Sequence, residues 1–145
     1  MQPTRILPDL QCSLVCEEVR QEANGNFFIV GIINLIRVPQ LPVTALKLCF
    51  FNRWTAGVGQ FQESVRLIAP DQTTVLRKSE MKFALKDAAF NSTNVTLFGQ
   101  VKFEVPGVYQ VEILVDDVMK IRYPLPVVVA PPPPDAQPED AAPAA

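Results

Sequence analysis

Pro106-Gly107-Val108-Tyr109-Gln110-Val111-Glu112-Ile113-Leu114-Val115 is the stretch whose reading decides the fold. A Pro-Gly pair turns the chain, and a period-2 strand follows at once. Tyr109, Val111, Ile113 and Val115 share one face, with Gln110 and Glu112 on the other. Side chains alternate across a strand, so one side of this segment is made for a core and the other is not. A tyrosine two residues beyond a Pro-Gly corner fits a tyrosine corner, in which the phenol packs inward and its hydroxyl bonds back to the chain.

Outward from this strand the same alternation recurs. Leu10 to Val19 places Leu10, Cys12, Leu14 and Cys16 on one face. Asn24-Gly25 is a hairpin signal and leads into Asn26 to Val38, a β-branched run apolar on both faces and read as one strand. Ala45 to Trp54 follows, with Leu46, Leu48 and Phe50 inward and Lys47 outward. Gln60 to Ala69 and a two-piece Thr74 to Leu85 flank the turn Pro70-Asp71-Gln72-Thr73, where proline presets φ and the aspartate caps the backbone. Asn94 to Val105 sets Val95, Leu97, Val101 and Phe103 inward, with Gly99 interrupting that row. Asp116-Asp117 closes a hairpin into Lys120 to Val129, whose Pro124 and Pro126 predict an edge strand, since proline cannot donate to a ladder. About eight strands at short intervals, with no long helix, predict an all-β chain folded as an antiparallel β-sandwich of immunoglobulin-like character. Pro106, Gly107 and Tyr109 would form its structural corner, although the second cysteine that marks antibody domains is absent.

A chain of 145 residues suits one domain. It divides into a lead over 1–8, the sandwich over 9–129, and a Pro/Ala-rich acidic tail over 130–145. The tail cannot bury a core and reads as a disordered or polyproline-like spacer. It holds three acids and no base, so the net −2 of the whole leaves +1 for the remainder. Near-neutrality offers nucleic acid no electrostatic grip. Phe27 to Ile33, the longest nearly apolar run, is far too short to span a bilayer. The first residues show no apolar signal segment and the three cysteines form no disulfide pattern, which together predict a cytoplasmic location.

The chain has no histidine, which removes the usual general base, the commonest transition-metal ligand and every Ser-His or Cys-His pair. Cys12, Cys16 and Cys49 lack a zinc-knuckle spacing and read as small buried hydrophobes. Asp71, Asp87, Asp116 and Asp117 lie in separate turns without calcium-loop spacing, and Glu17 and Glu18 point to opposite faces. No cofactor or metal is therefore expected. Asn52-Arg53-Trp54 is the most suggestive polar-aromatic cluster. Trp54 continues the inward row and would cap the core, or it forms with Arg53 a stacking platform for a partner or sugar. Phe28, Val30, Ile32, Ile36 and Val38 need a cover beyond the inner core, either a loop or a second subunit.

Leu7 to Leu14 with Cys16 to Arg20, Asn52-Arg53-Trp54, the Pro70-Asp71 turn, Pro106-Gly107-Val108-Tyr109 and Arg122-Tyr123-Pro124-Leu125 resemble a bacterial family of small uncharacterised proteins. The resemblance covers most of residues 8–129 and implies a stand-alone sandwich-like domain, with no catalytic residue to carry over. The function expected is a non-enzymatic binding or assembly module acting through protein–protein contacts. Its contact residues would be Phe28, Val30, Ile32 and Ile36, rimmed by Asn52, Arg53 and Trp54. The rival expectation is a small-ligand or carbohydrate-binding sandwich that uses Trp54 and Arg53.

Overall fold

The structure, a computed structural model, describes residues 5–44 and 47–130. The acidic tail from 131 and the inward Leu46 read above lie outside the described residues. Every regular element described is a strand: β1 (Asp9–Gln21), β2 (Phe27–Ile32), β3 (Ile36–Val38), β4 (Val43–Thr44), β5 (Lys47–Thr55), β6 (Gly59–Ile68), β7 (Val75–Leu85), β8 (Asn91–Gly99), β9 (Lys102–Phe103), β10 (Gly107–Val115) and β11 (Val118–Val129). They form a four-stranded sheet in the order β2-β1-β5-β8, a five-stranded sheet in the order β3-β11-β10-β6-β7, and a small β4-β9 pair. The all-β class read from the sequence is the class the chain adopts.

The strands differ from the expected set where a long run changes sheets. Asn26 to Val38 is two strands. β2 pairs with β1, and β3 crosses to the other sheet and runs parallel to β11. Gly31, at φ 72°, and the break at 33–35 make that crossing possible. Asn94 to Val105 is also divided, with Gln100 at φ 53° between β8 and β9. The phase of β8 is the opposite of the one predicted. Its register on β5 sets Asn94, Thr96 and Phe98 opposite Asn52, Phe50 and Leu48, and these face the interior. Val95 is half-buried and Leu97 is 58% exposed. The turn at Gly99-Gln100 resets the phase, so Val101 and Phe103 do enter the core. A side chain at Gly99 would have open space, with nothing within 4 Å of where its Cβ would lie. The predicted two pieces of Thr74 to Leu85 form one strand, β7.

β11 is not an edge strand, since it lies between β10 and β3. β3 covers it only at Val127–Val129, however. Pro124 and Pro126 precede that stretch, where β10 is the only neighbouring strand among the described residues and a missing N–H on the far side costs no ladder bond.

The two large sheets share one core. Val15, Leu48, Phe50, Trp54 and Phe98 enter it from one sheet, and Phe61, Val65, Leu67, Tyr109, Val111, Ile113, Val115, Leu125 and Val127 from the other. Burying each such large apolar side chain stabilises by about 1.5–3 kcal/mol. On the far face of the five-stranded sheet, Glu112 sits in register between Arg66 and Arg122, and Arg66 Nη2 approaches it to 2.7 Å.

The four-stranded sheet is not a flat layer. β1 pairs with β5 through Cys16 and with β2 from Cys16 onward. Phe51 lies opposite Leu14, and Phe27 lies opposite Gln21, seven residues further along β1. In a flat sheet that offset would be about 23 Å at 3.3 Å per residue. The two rings nevertheless meet edge-on, with centroids 6.1 Å apart. The β1–β2 hairpin therefore curls back over the outer face of β5, giving a half-barrel.

Two turns match their sequence signals in detail. Asp71 accepts from the Thr74 hydroxyl and from the backbone N–H groups of Thr74 and Thr73, which hold its carboxyl down to about 2. The buried Tyr109 hydroxyl donates to the Val105 carbonyl at 2.7 Å, and the ring stands perpendicular to Phe103. Gly107, at φ 143°, lies so close to Pro70 that a Cβ would come within 2.9 Å of its Cγ.

Tyr109→Phe should keep the packing and lose only the hydroxyl bond, lowering stability by about 1 kcal/mol. Urea unfolding checks this, with the midpoint falling and the slope unchanged.

Candidate functional site

Residues 52–54 lie on β5 and alternate across it. Asn52 and Trp54 point into the shared core and Arg53 points to the outer face. Asn52 and Trp54 are fully buried, so neither forms the surface rim or stacking platform considered from the sequence. The physical reason is that β5 is a central strand covered on both sides, by the five-stranded sheet within and by the curled hairpin without. Of the three residues, only Arg53 lines a surface feature.

Inside the core, Trp54 stacks on Phe83 at 5.6 Å and its Nε1 donates to Glu63 Oε2 at 2.6 Å. Glu63 is 1% exposed. Burial pushes its carboxyl above the ordinary glutamate value, while Trp54, Asn52 and Asn94 pull it back down. Glu63 Oε1, both polar atoms of Asn52, Nδ2 of Asn94 and Thr96 Oγ1 are enclosed without a well-formed hydrogen bond among the described residues. Each such group costs about 1–3 kcal/mol. The core thus holds a polar island around one carboxyl. A sequence signal for it existed: Glu63 falls on the same strand face as Phe61, Val65 and Leu67.

A second feature lies on the outer side. The hairpin end at Gly25–Phe27, Phe51 and Arg53 of β5, and residues 89–91 and 93 enclose an open hollow of about 680 Å³. Its lining has one charged side chain, Arg53.

The third feature is the β2 edge. Phe28 and Val30 are exposed, and Ile32 is 56% exposed, as is Leu35 beyond the strand at a lower level. Ile36 and Val38, grouped with them from the sequence, lie on β3 in the other sheet; Ile36 packs against the core and Val38 is part of it. The exposed apolar surface is therefore shorter than the sequence predicts.

The thiols are arranged in a way the sequence did not reveal. Cys16 and Cys49 are register partners on β1 and β5, both buried under the curled hairpin, and Cys12 is half-buried. Burial first, and Cys49 second, push the Cys16 thiol up, the reverse of an activated thiolate. Among the described residues no three His, Cys, Asp or Glu side chains are grouped to hold a metal, and no helix is long and apolar enough to cross a membrane.

Two outcomes follow from these environments. A carboxyl whose folded-state pKa is raised binds more protons in the folded than in the unfolded chain. Its favourable contribution is complete below the unfolded value and is lost as pH rises through the folded one. Glu63→Gln, which still offers Trp54 an acceptor, should therefore gain on wild type as pH rises from about 4 to 7 in urea melts. A difference independent of pH would refute an ionisation-resistant Glu63. Titration with an aromatic disulfide reagent should modify Cys12 first, with Cys16 and Cys49 reacting only on unfolding.

No curated protein matches the chain. Residues 11–128, nearly all of β1 through β11, match a family of unknown function, DUF6941, and the chain belongs to that family.

Proposed function

We propose that the protein is a non-enzymatic assembly module of the cytoplasm, an immunoglobulin-like sandwich that uses the β2 edge for protein–protein contact. The observation that carries this reading is the edge itself. β2 reads Phe-Phe-Ile-Val-Gly-Ile, uncharged throughout, and it ends its sheet with one side unpaired among the described residues. Exposed edges are usually blunted by charge, as β7 is by Arg77, Lys78, Glu80 and Lys82 at the end of the other sheet. β2 has no such protection, and Phe28, Val30 and Ile32 add an apolar surface to its free backbone groups.

The partner is a second copy of the chain. Antiparallel pairing of β2 with its own mate about a two-fold axis satisfies both backbone rows. It also places no like charges opposite each other, since β2 carries none. Such a contact needs no chemistry from the side chains. That accords with the sealed position of Glu63, Cys16 and Cys49.

Sedimentation equilibrium tests the reading. Wild type should show a concentration-dependent dimer. Val30→Lys, at an exposed position that leaves the fold intact, should weaken it by at least about tenfold, or 1.4 kcal/mol. A wild-type chain that stays monomeric to about 1 mM, a free energy of association weaker than 4 kcal/mol, would sink it.

A further inference from the structure

We propose that the hollow beneath the β1–β2 hairpin is a binding site for a small organic monoanion, a carboxylate carried on an aromatic or aliphatic body, with Arg53 as its charge partner. The site stands apart from the β2 edge contact and depends on different residues.

The first ground is electrostatic. The two other partly buried arginines and most exposed ones are satisfied: Arg66 pairs with Glu112 and Arg77 donates to the Gly99 carbonyl, while Arg5 pairs with Asp116, Arg20 with Glu18 and Arg122 with Glu112. Arg37 is exposed to water. Arg53 is the half-buried exception. Its Nε is enclosed without a hydrogen-bond partner, and it forms no ion pair with any acid among the described residues. A guanidinium partly withdrawn from water and left unpaired raises the local potential, and an anion is the group that relieves it.

Shape and lining supply the second ground. The volume, about 680 Å³, lies within the range of small-molecule sites. Phe27, Phe51 and Phe90 offer apolar walls, and Phe27 and Phe51 already meet edge-on. Asn26, Asn91 and Thr93 add neutral polar groups and no competing acid. Apolar walls with one cation and a few neutral hydrogen-bonding groups suit a ligand with a flat or aliphatic body and a single negative end.

The third ground selects carboxylate over phosphate. Arg53 brings one positive charge, and no lysine or second arginine lines the hollow. A dianion would remain half-neutralised, whereas a carboxylate is matched in charge and in the fork geometry of a guanidinium.

Amide-resolved NMR titration of the full chain with benzoate, benzamide, acetate and phenyl phosphate tests the site. Benzoate should give saturable shifts clustered at Gly25, Asn26, Arg53 and Thr93. Neutral benzamide should bind at least about tenfold more weakly, as should acetate, which lacks the ring. Arg53→Gln should abolish the benzoate shifts, and Arg53→Lys should retain part of them. Should either variant fold poorly, the contrast between benzoate and benzamide on wild type decides alone. Equal binding of benzamide, shifts that never saturate or that cluster elsewhere, or an unaltered response in a folded Arg53→Gln would overturn the proposal. Tighter binding of phenyl phosphate than benzoate would overturn the carboxylate assignment.

Discussion

Strand β5 is covered on both faces, and the unusual features of the molecule follow from that constraint. A strand in a two-layer β protein ordinarily buries one face and wets the other. Here Leu48, Phe50, Asn52 and Trp54 look into the shared core, while Cys49 and Phe51 are buried on the opposite side. The second cover comes from the chain's own N-terminal hairpin. β1 is thirteen residues long and bends after its pairing with β5, so that Phe27 comes back onto Phe51. Gly31 sits at this bend with its φ in the left-handed region, and a Cβ there would lie 2.7 Å from the Glu17 carboxyl carbon. The curl hides two thiols, leaves a hollow where the hairpin end overhangs residues 89–93, and turns the free side of β2 to solvent.

The interior of the molecule carries a second, costlier feature. A wholly apolar core would be cheaper than one containing Glu63, Asn52, Asn94 and Thr96, because each unpaired buried polar atom forfeits its hydration. The Trp54–Glu63 bond offsets part of this loss and ties β5 to β6 across the core. It also fixes the rotation of the largest side chain inside, which the stack on Phe83 then holds. The polar island has a consequence for β8. Asn94 turns in opposite Asn52 and Thr96 opposite Phe50, which extends the island across two strands and leaves Leu97 turned out.

That inversion marks where sequence pattern stops being informative. Period-2 patterning identifies a core face only when the core is apolar. At β8 the interior is polar, and a one-residue error of phase moves every side chain to the wrong side. The run Asn26 to Val38 fails for a related reason. Being apolar on both faces, it contains no phase to read, and nothing in it signals that its last residues join another sheet. Where a side chain makes its own local bonds, the reading was sound. The Asn24-Gly25 and Asp116-Asp117 hairpins, the Asp71 cap and the inward phenol of Tyr109 each depend on residues within a few positions of one another. Arg53 was legible as outward-facing by simple alternation. Its hollow was not, because that depends on a hairpin returning over a strand distant in the chain.

Alternation also gives one short strand two surfaces. Phe27 turns toward Phe51 and the hollow, while Phe28, its neighbour, is directed to the opposite side of the ribbon. A flat sheet would have pressed one of these faces onto a core and left no room for either contact. The curl frees both, so an apolar hairpin that looks over-hydrophobic as a sequence is economical as a structure: one face closes the hollow around Arg53, and the other remains with an open backbone edge. Glu63, Cys16 and Cys49 are sealed beneath that arrangement, whereas the half-buried Arg53 guanidinium, without an ion-pair partner among the described residues, borders the hollow together with the rings of Phe27, Phe51 and Phe90.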